Sequence, residues 1–218
     1  MELDKIKNSL TAADLQTRLQ AIKALKHYDA EVAIPLLIRQ THDSEFLVRS
    51  FVAMVLGEKQ GAESFAALLE MIKLDRDTNV KAEAANSLSL YGKVSIPHLV
   101  TAFFQNDNWL VRRSILAAMA EMDCPDSLYD VALEALSDSD STVQQTGVDA
   151  LGLLAHTTRQ QDALITLLDQ VTSQSPHIRI RVAYALKRFD ESEAAEGVKT
   201  LKQDPDHRVV GAALEEIT

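Results

Sequence analysis

Four arginines, Arg18, Arg49, Arg112 and Arg179, recur with the same neighbours: a branched residue just before, and a short polar or acidic side chain four places back. A guanidinium is a planar fork that holds carboxylate or phosphate through two parallel hydrogen bonds. Two chemistries therefore suggest themselves: phosphate binding, or an internal ladder in which each arginine grips an acid of its own or the adjacent segment. The segments that carry the arginines also carry acids, and the 218-residue chain has a formal net charge of −10. Nucleic acids bind mainly through neutralised phosphates, so the ladder is the expectation and nucleic acid is excluded as a partner. Lys81, Gln144 and Val210 fill the same slot in three further copies, separating seven anchors by 31, 32, 31, 32, 35 and 31 residues.

A second constellation lies two, five and nine residues beyond each anchor, a spacing that places side chains along one helical stripe. It offers Phe51 and Met54, then Glu83 and Asn86, then Thr146, Asp149 and Leu153, and finally Arg181, Tyr184 and Arg188. Two arginines around a tyrosine can hold a carboxylate beside a flat apolar body, while Phe51 and Met54 can accept an apolar one. An ordinary solvated face is the alternative.

Other candidates are weaker. Cys124 precedes Pro125 at a helix start, where the helix end could activate a thiol, but Asp123 and Asp126 flank it and oppose thiolate formation. An inert cysteine is expected. The six histidines are scattered without metal-ligand spacing, so no metal site is expected. No phosphate loop, dinucleotide fingerprint or nucleophile elbow is present, and no catalytic residue is assigned.

The elements that must position these residues are helices. Around each anchor the positions −1, +4 and +7 are apolar or branched, for example Val48, Ala53 and Leu56, or Val143, Val148 and Leu151. That is one face of a 3.6-residue helix. The side chains four before the anchor, Asp14, Glu45, Asp77, Asn108, Asp140, Ser175 and Asp206, suit helix N-caps, with Ser44 able to replace the weaker Glu45. A partner helix precedes each one, at about 2–10, 31–41, 62–74, 94–105, 125–137, 160–173 and 191–202, with extra residues near 155–159. Trp109 and Phe46, each three before its anchor, are expected to pack across the inter-helix turn. A unit of this length cannot bury its own apolar face, so units must stack. The expected architecture is an all-α solenoid of seven two-helix repeats forming one domain over residues 1–218, with second helices lining a concave surface. A single cysteine, no signal-like start and no apolar run of about 20 residues point to a cytoplasmic chain without membrane insertion.

The phrase Val48-Arg49 followed by Leu56-Gly57 resembles HEAT repeats. More narrowly, Trp109-Leu110-Val111 with Ser114-Ile115 and Ala117-Ala118, together with the short unit length and unit number, resembles the HEAT-like repeats of phycobilisome lyases. These cyanobacterial proteins attach, remove or handle linear tetrapyrroles, and small members take part in phycobilisome degradation. The resemblance implies a binding scaffold that docks on phycobiliproteins, with a linear tetrapyrrole as its one possible cofactor. A bilin lyase subunit is the enzymatic option, although the doubled tryptophan frequent in such subunits is missing here. A general cytosolic protein-interaction adaptor, with no pigment, is the alternative.

Overall fold

The computed structural model describes residues 2–216. Fourteen α-helices occur among them, with no strand. The chain divides into two compact units, Met1–Ala118 and Met119–Thr218. The first carries α1 (Leu3–Ser9), α2 (Leu15–Leu25), α3 (Ala30–Ile38), α4 (Phe46–Lys59), α5 (Ala62–Leu74), α6 (Thr78–Ser89), α7 (Ile96–Gln105) and most of α8 (Trp109–Ala120). The second carries α9 (Pro125–Ala135), α10 (Ser141–Gly152), α11 (Gln160–Asp169), α12 (Pro176–Leu186), α13 (Ser192–Leu201) and α14 (His207–Leu214). Within each unit, helices that follow one another pair as hairpins, such as α5 with α6 and α9 with α10, and the hairpins stack. In the first unit α2 packs on α4 and α4 on α6; in the second α10 packs on α12 and α12 on α14. This is an α-solenoid fold.

The apolar column at −1, +4 and +7 forms the core. Val48, Ala53, Leu56, Val80, Ala85, Leu88, Val143, Val148 and Leu151 are all fully buried. Two members depart from it. Thr17 is only half-buried, and its hydroxyl donates to Asp14 instead of packing. Leu214 is 61% exposed, because it ends α14 and no later helix among the described residues covers it. Ile217, also expected in the core, lies outside the described residues.

Glycine sets the closeness of the inner layer. A Cβ on Gly57 would sit 2.7 Å from the Ser87 Cβ and 2.9 Å from the Ser87 carbonyl oxygen, so α4 and α6 touch backbone to backbone there. Gly152 meets Ala185 at the equivalent place between α10 and α12, where a Cβ would come within 2.9 Å.

The turns entering the second helices share one construction. Asp43, Asp75, Asn106, Asp138, Ser173 and Asp204 each accept, through the side chain, the N–H two residues on. This turn fixes the chain for the helix that follows. Asp14, Asp77, Asn108, Asp140 and Asp206 then cap first-turn N–H groups. Ser175 and Glu45 make no side-chain cap bond, which corrects the expectation for Ser175: Pro176 stands first in its helix and removes one of the donors. Ser44 offers only its carbonyl oxygen, which accepts from Arg49 and Arg76.

Candidate functional site: a cleft between the second helices of the second unit

The recurrent arginines are internal. Arg49 donates Nε and Nη2 to the two carboxylate oxygens of Asp75 at 2.7 and 2.8 Å. Arg179 grips Asp204 likewise at 2.6 and 2.9 Å. Arg18 lies 2.9 Å from Asp43 Oδ2 through Nε and donates Nη2 to Oδ1 at 3.2 Å. Each guanidinium also donates to a carbonyl of its own turn: Ala12 for Arg18, Asp43 for Arg49 and Ser173 for Arg179. Arg112 reaches the carbonyl of Asn106 in the same way, and Gln144 that of Asp138. The acid is always the turn residue six before the next anchor, a position the sequence reasoning passed over although Asp recurs there. Burial pushes Asp75 up, but the hydrogen bond from Arg49, the Asp77 N–H and the positive charge of Arg49 outweigh it and hold the carboxyl below its ordinary range. For Asp204 the bond from Arg179 dominates, with the same outcome.

With those cations occupied, the groups open to a ligand lie on the stripe. Asp149 of α10, Arg181, Tyr184 and Arg188 of α12 and its end, and Leu153, Glu215 and Glu216 line one cleft of about 440 Å³. Asp149, Tyr184 and Glu215 all stand five residues beyond their anchors, so the repeat spacing could have yielded Glu215 as well. Arg181 Nη1 lies 3.5 Å from Asp149 Oδ2, with both side chains close to half exposed. Loss of hydration pushes the Asp149 carboxyl up, against the pull of Arg181 and Arg188, and leaves it above the ordinary aspartate range. The Tyr184 hydroxyl donates to Glu215 Oε2 at 2.5 Å, and this bond, with burial, raises the phenol above its ordinary value. Lys187 donates to the carbonyls of Ala212 and Glu215 and so pins the end of α14.

The Arg188 backbone N–H donates to the Ala185 carbonyl at 3.1 Å, while its exposed guanidinium makes no hydrogen bond or ion pair among the described residues and acts on Asp149 through charge alone. The cleft thus presents one guanidinium without an ion pair, a second shared with Asp149, the Tyr184 ring, over which Lys187 Nζ lies 5.4 Å from the centroid, and the 40% exposed side chain of Leu153. It suits a carboxylate on a flat apolar frame. Of its acids, Asp149 faces Arg181 and Glu215 accepts from Tyr184, while Glu216 is exposed.

The other stripe residues do not line this cleft: Thr146 stands on α10, where its hydroxyl donates to the Thr142 carbonyl, and the rest belong to the first unit. Phe51 and Met54 are half-buried, and Lys23 Nζ lies 4.9 Å from the Phe51 ring centroid. Glu83 is half-buried, with burial raising its carboxyl against a bond to Ser87, and Asn86 is exposed. Trp109 and Phe46 do not pack away across the turn: they keep 44% and 38% exposure, because each sits on the first residue of its helix, ahead of the buried column. Cys124 is buried, and its thiol is pushed up by burial and by Asp123. No helix among the described residues is long and apolar enough to cross a membrane.

The geometry agrees with comparisons to known proteins. Escherichia coli YibA has a TM-score of 0.62 at 16% identity, covering 98% of this chain and 91% of that one. The complex of CpcE and CpcF of phycocyanin lyase from a Nostoc species has a TM-score of 0.56 at 17% identity, covering 98% and 94%. Kap95p, in a complex with RanGDP, has a TM-score of 0.64 at 12% identity, covering 96% of this chain and 34% of that one. At such identities the likeness is one of fold. No curated protein matches the sequence. The profile for HEAT repeats matches residues 3–89, 96–171 and 129–218, and the chain belongs to the HEAT-repeat family.

Proposed function

We propose that this protein is a non-catalytic binding scaffold that docks on phycobiliproteins and assists the handling of their linear tetrapyrroles or the degradation of phycobilisomes. The role would be like that of the small phycobilisome degradation protein, which it resembles in length and repeat number. The observation that carries the reading is the second-unit cleft, which the Arg188 guanidinium, without an ion pair among the described residues, lines together with Tyr184 and exposed Leu153. A bilin bears propionates on a flat apolar frame, and a guanidinium next to an aromatic face complements both parts. The fold likeness to the CpcE–CpcF complex over 94% of that chain adds support. Mixing the protein with a linear tetrapyrrole, and separately with a holo-phycobiliprotein, tests it through the visible spectrum and co-elution. A shifted band lost in Arg188→Ala and Tyr184→Ala is expected; an unchanged spectrum and no co-elution would remove the reading.

A second reading rests on Trp109 and Phe46, exposed aromatics at the same repeat position in the first unit. Aromatic side chains of this kind anchor protein interfaces. They favour a cytosolic adaptor for a partner without pigment, in which case Trp109→Ala abolishes capture of that partner and the cleft substitutions do not.

A further inference from the structure

The ladder of the first unit has one altered rung. Arg18 holds Asp43 and Arg49 holds Asp75, but the next anchor is Lys81, and the turn position that should supply its acid is Asn106. Asn106 keeps the turn: its Oδ1 accepts the Asn108 N–H at 3.1 Å. It cannot supply a negative charge. The Lys81 ammonium donates only to the Lys73 carbonyl at 3.3 Å and makes no ion pair among the described residues. In the second unit Gln144 and Ser173 are also substituted at the equivalent positions, but both are neutral, so no charge is left over. At Lys81 the cation remains and its carboxylate is gone.

A cleft of about 520 Å³ stands at this rung, between α5, α6 and α7. Lys81, Lys73 and Asn106 line it with His98, over apolar surface from Leu69, Ile72 and Ala102. No carboxylate lines it, in a chain whose net charge is −10. His98 is held at the mouth by an edge-to-face contact with Phe65, at 5.4 Å between centroids.

We propose that this cleft binds an acidic residue flanked by apolar residues, presented by a segment of a partner protein, whose carboxylate takes the place of the missing turn aspartate. The neighbouring rungs define what the anchor accepts, and the occupant is the same group arriving from outside. The ammonium groups and the Asn106 amide supply donors for the carboxylate, while Leu69 and Ile72 receive the flanking apolar side chains. The site is independent of the cleft around Arg188.

The test uses the full ¹⁵N-labelled chain and the blocked tripeptide acetyl-Leu-Asp-Leu-amide, with acetyl-Leu-Asn-Leu-amide and free hexanoate as the other arms. Amide shifts should cluster on residues lining the cleft, and the asparagine peptide should bind at least about tenfold more weakly, since charge-assisted hydrogen bonds are lost. Lys81→Met should abolish the shifts. The double change Lys81→Arg with Asn106→Asp should complete the rung, raise the unfolding temperature and lose the peptide. Equal binding of both peptides, shifts away from the cleft, or retention by the completed-rung variant would each overturn the proposal. Hexanoate matching the aspartate peptide would overturn the partner segment as the source and leave a small acid.

Discussion

Arg49 and Asp75, separated by 26 residues, meet in a two-point fork with 4% and 5% of their side chains exposed. The pair ties one repeat to the next at a place from which water is excluded. A buried ion pair costs desolvation, so its removal as a whole differs from its being broken.

Asp75→Ala should therefore destabilise the protein by about 3–5 kcal/mol, because a buried guanidinium is left without its acid. Replacing both, Arg49→Met with Asp75→Leu, should recover the part of that loss that comes from the unpaired guanidinium, but not the turn bond from the Asp77 N–H. Urea unfolding of the wild type, the two single variants and the double variant checks it, and additive losses would contradict the assignment.

Acid should unfold the chain through these rungs. Asp75 and Asp204 both have folded pKa values below their unfolded ones, so their contribution is fully present above the ordinary aspartate range. It is lost as pH falls through the depressed folded values. Asp204→Asn should lower stability at neutral pH and flatten its decline below the ordinary aspartate range, about pH 4. Circular dichroism melts across that range read the slope.

Gly57→Ala should destabilise despite the better helix propensity of alanine. The new methyl group would lie 2.7 Å from Ser87 Cβ and 2.9 Å from its backbone oxygen. Overpacking of this kind costs about 1–3 kcal/mol, against a propensity gain of about 1 kcal/mol. Gly57→Val should be worse, with a lower urea midpoint and an unchanged slope.

Cys124 should react slowly. Its thiol is buried, donates to the Met119 carbonyl at 3.5 Å, and is raised by burial and by the charge of Asp123. Ellman's reagent should label it readily only in denaturant. Rapid labelling of the folded chain at neutral pH would contradict this environment.

Tyr184 should ionise later than a free tyrosine, because its hydroxyl is committed to Glu215. A raised acid favours the fold in its neutral form, so this contribution holds below the ordinary phenol range near pH 10 and falls away above it. Glu215→Gln should bring tyrosinate absorbance at Tyr184 back toward the ordinary value, measured as the difference from Tyr184→Phe.

Much of the fold was legible in the sequence because the physics behind it is local. A 3.6-residue period marks the buried column through Val80, Ala85 and Leu88, and capping chemistry marks the helix starts at Asp140 and Asp206. The expected first helices at 62–74 and 94–105 match α5 and the turn-plus-helix of α7. What escaped depends on how neighbouring helices meet. Asp43, Asp75 and Asp204 read as polar turn residues until the preceding repeat brings an arginine against them. The spacing rule put Asp149, Arg181, Tyr184 and Arg188 on one stripe, yet only the stacking of α10 and α12 makes them one cleft. Trp109 and Phe46 are apolar, but first-turn residues project ahead of the packed layer, so their exposure had no local signal.

Asp43, Asp75 and Asp204 each serve the helix that follows and, through the arginine they hold, the repeat before. Lengthening the turn at Asp75 or Asp204 would therefore disturb two repeats at once, and such joints leave little freedom for insertions or deletions. The link from Ala155 to Arg159 has no turn aspartate in that role: its last residue, Arg159, ties it to Asp126 and Tyr129, while its left-handed kink at His156, with φ of 64°, is exposed. Foreign loops grafted for display or labelling belong there.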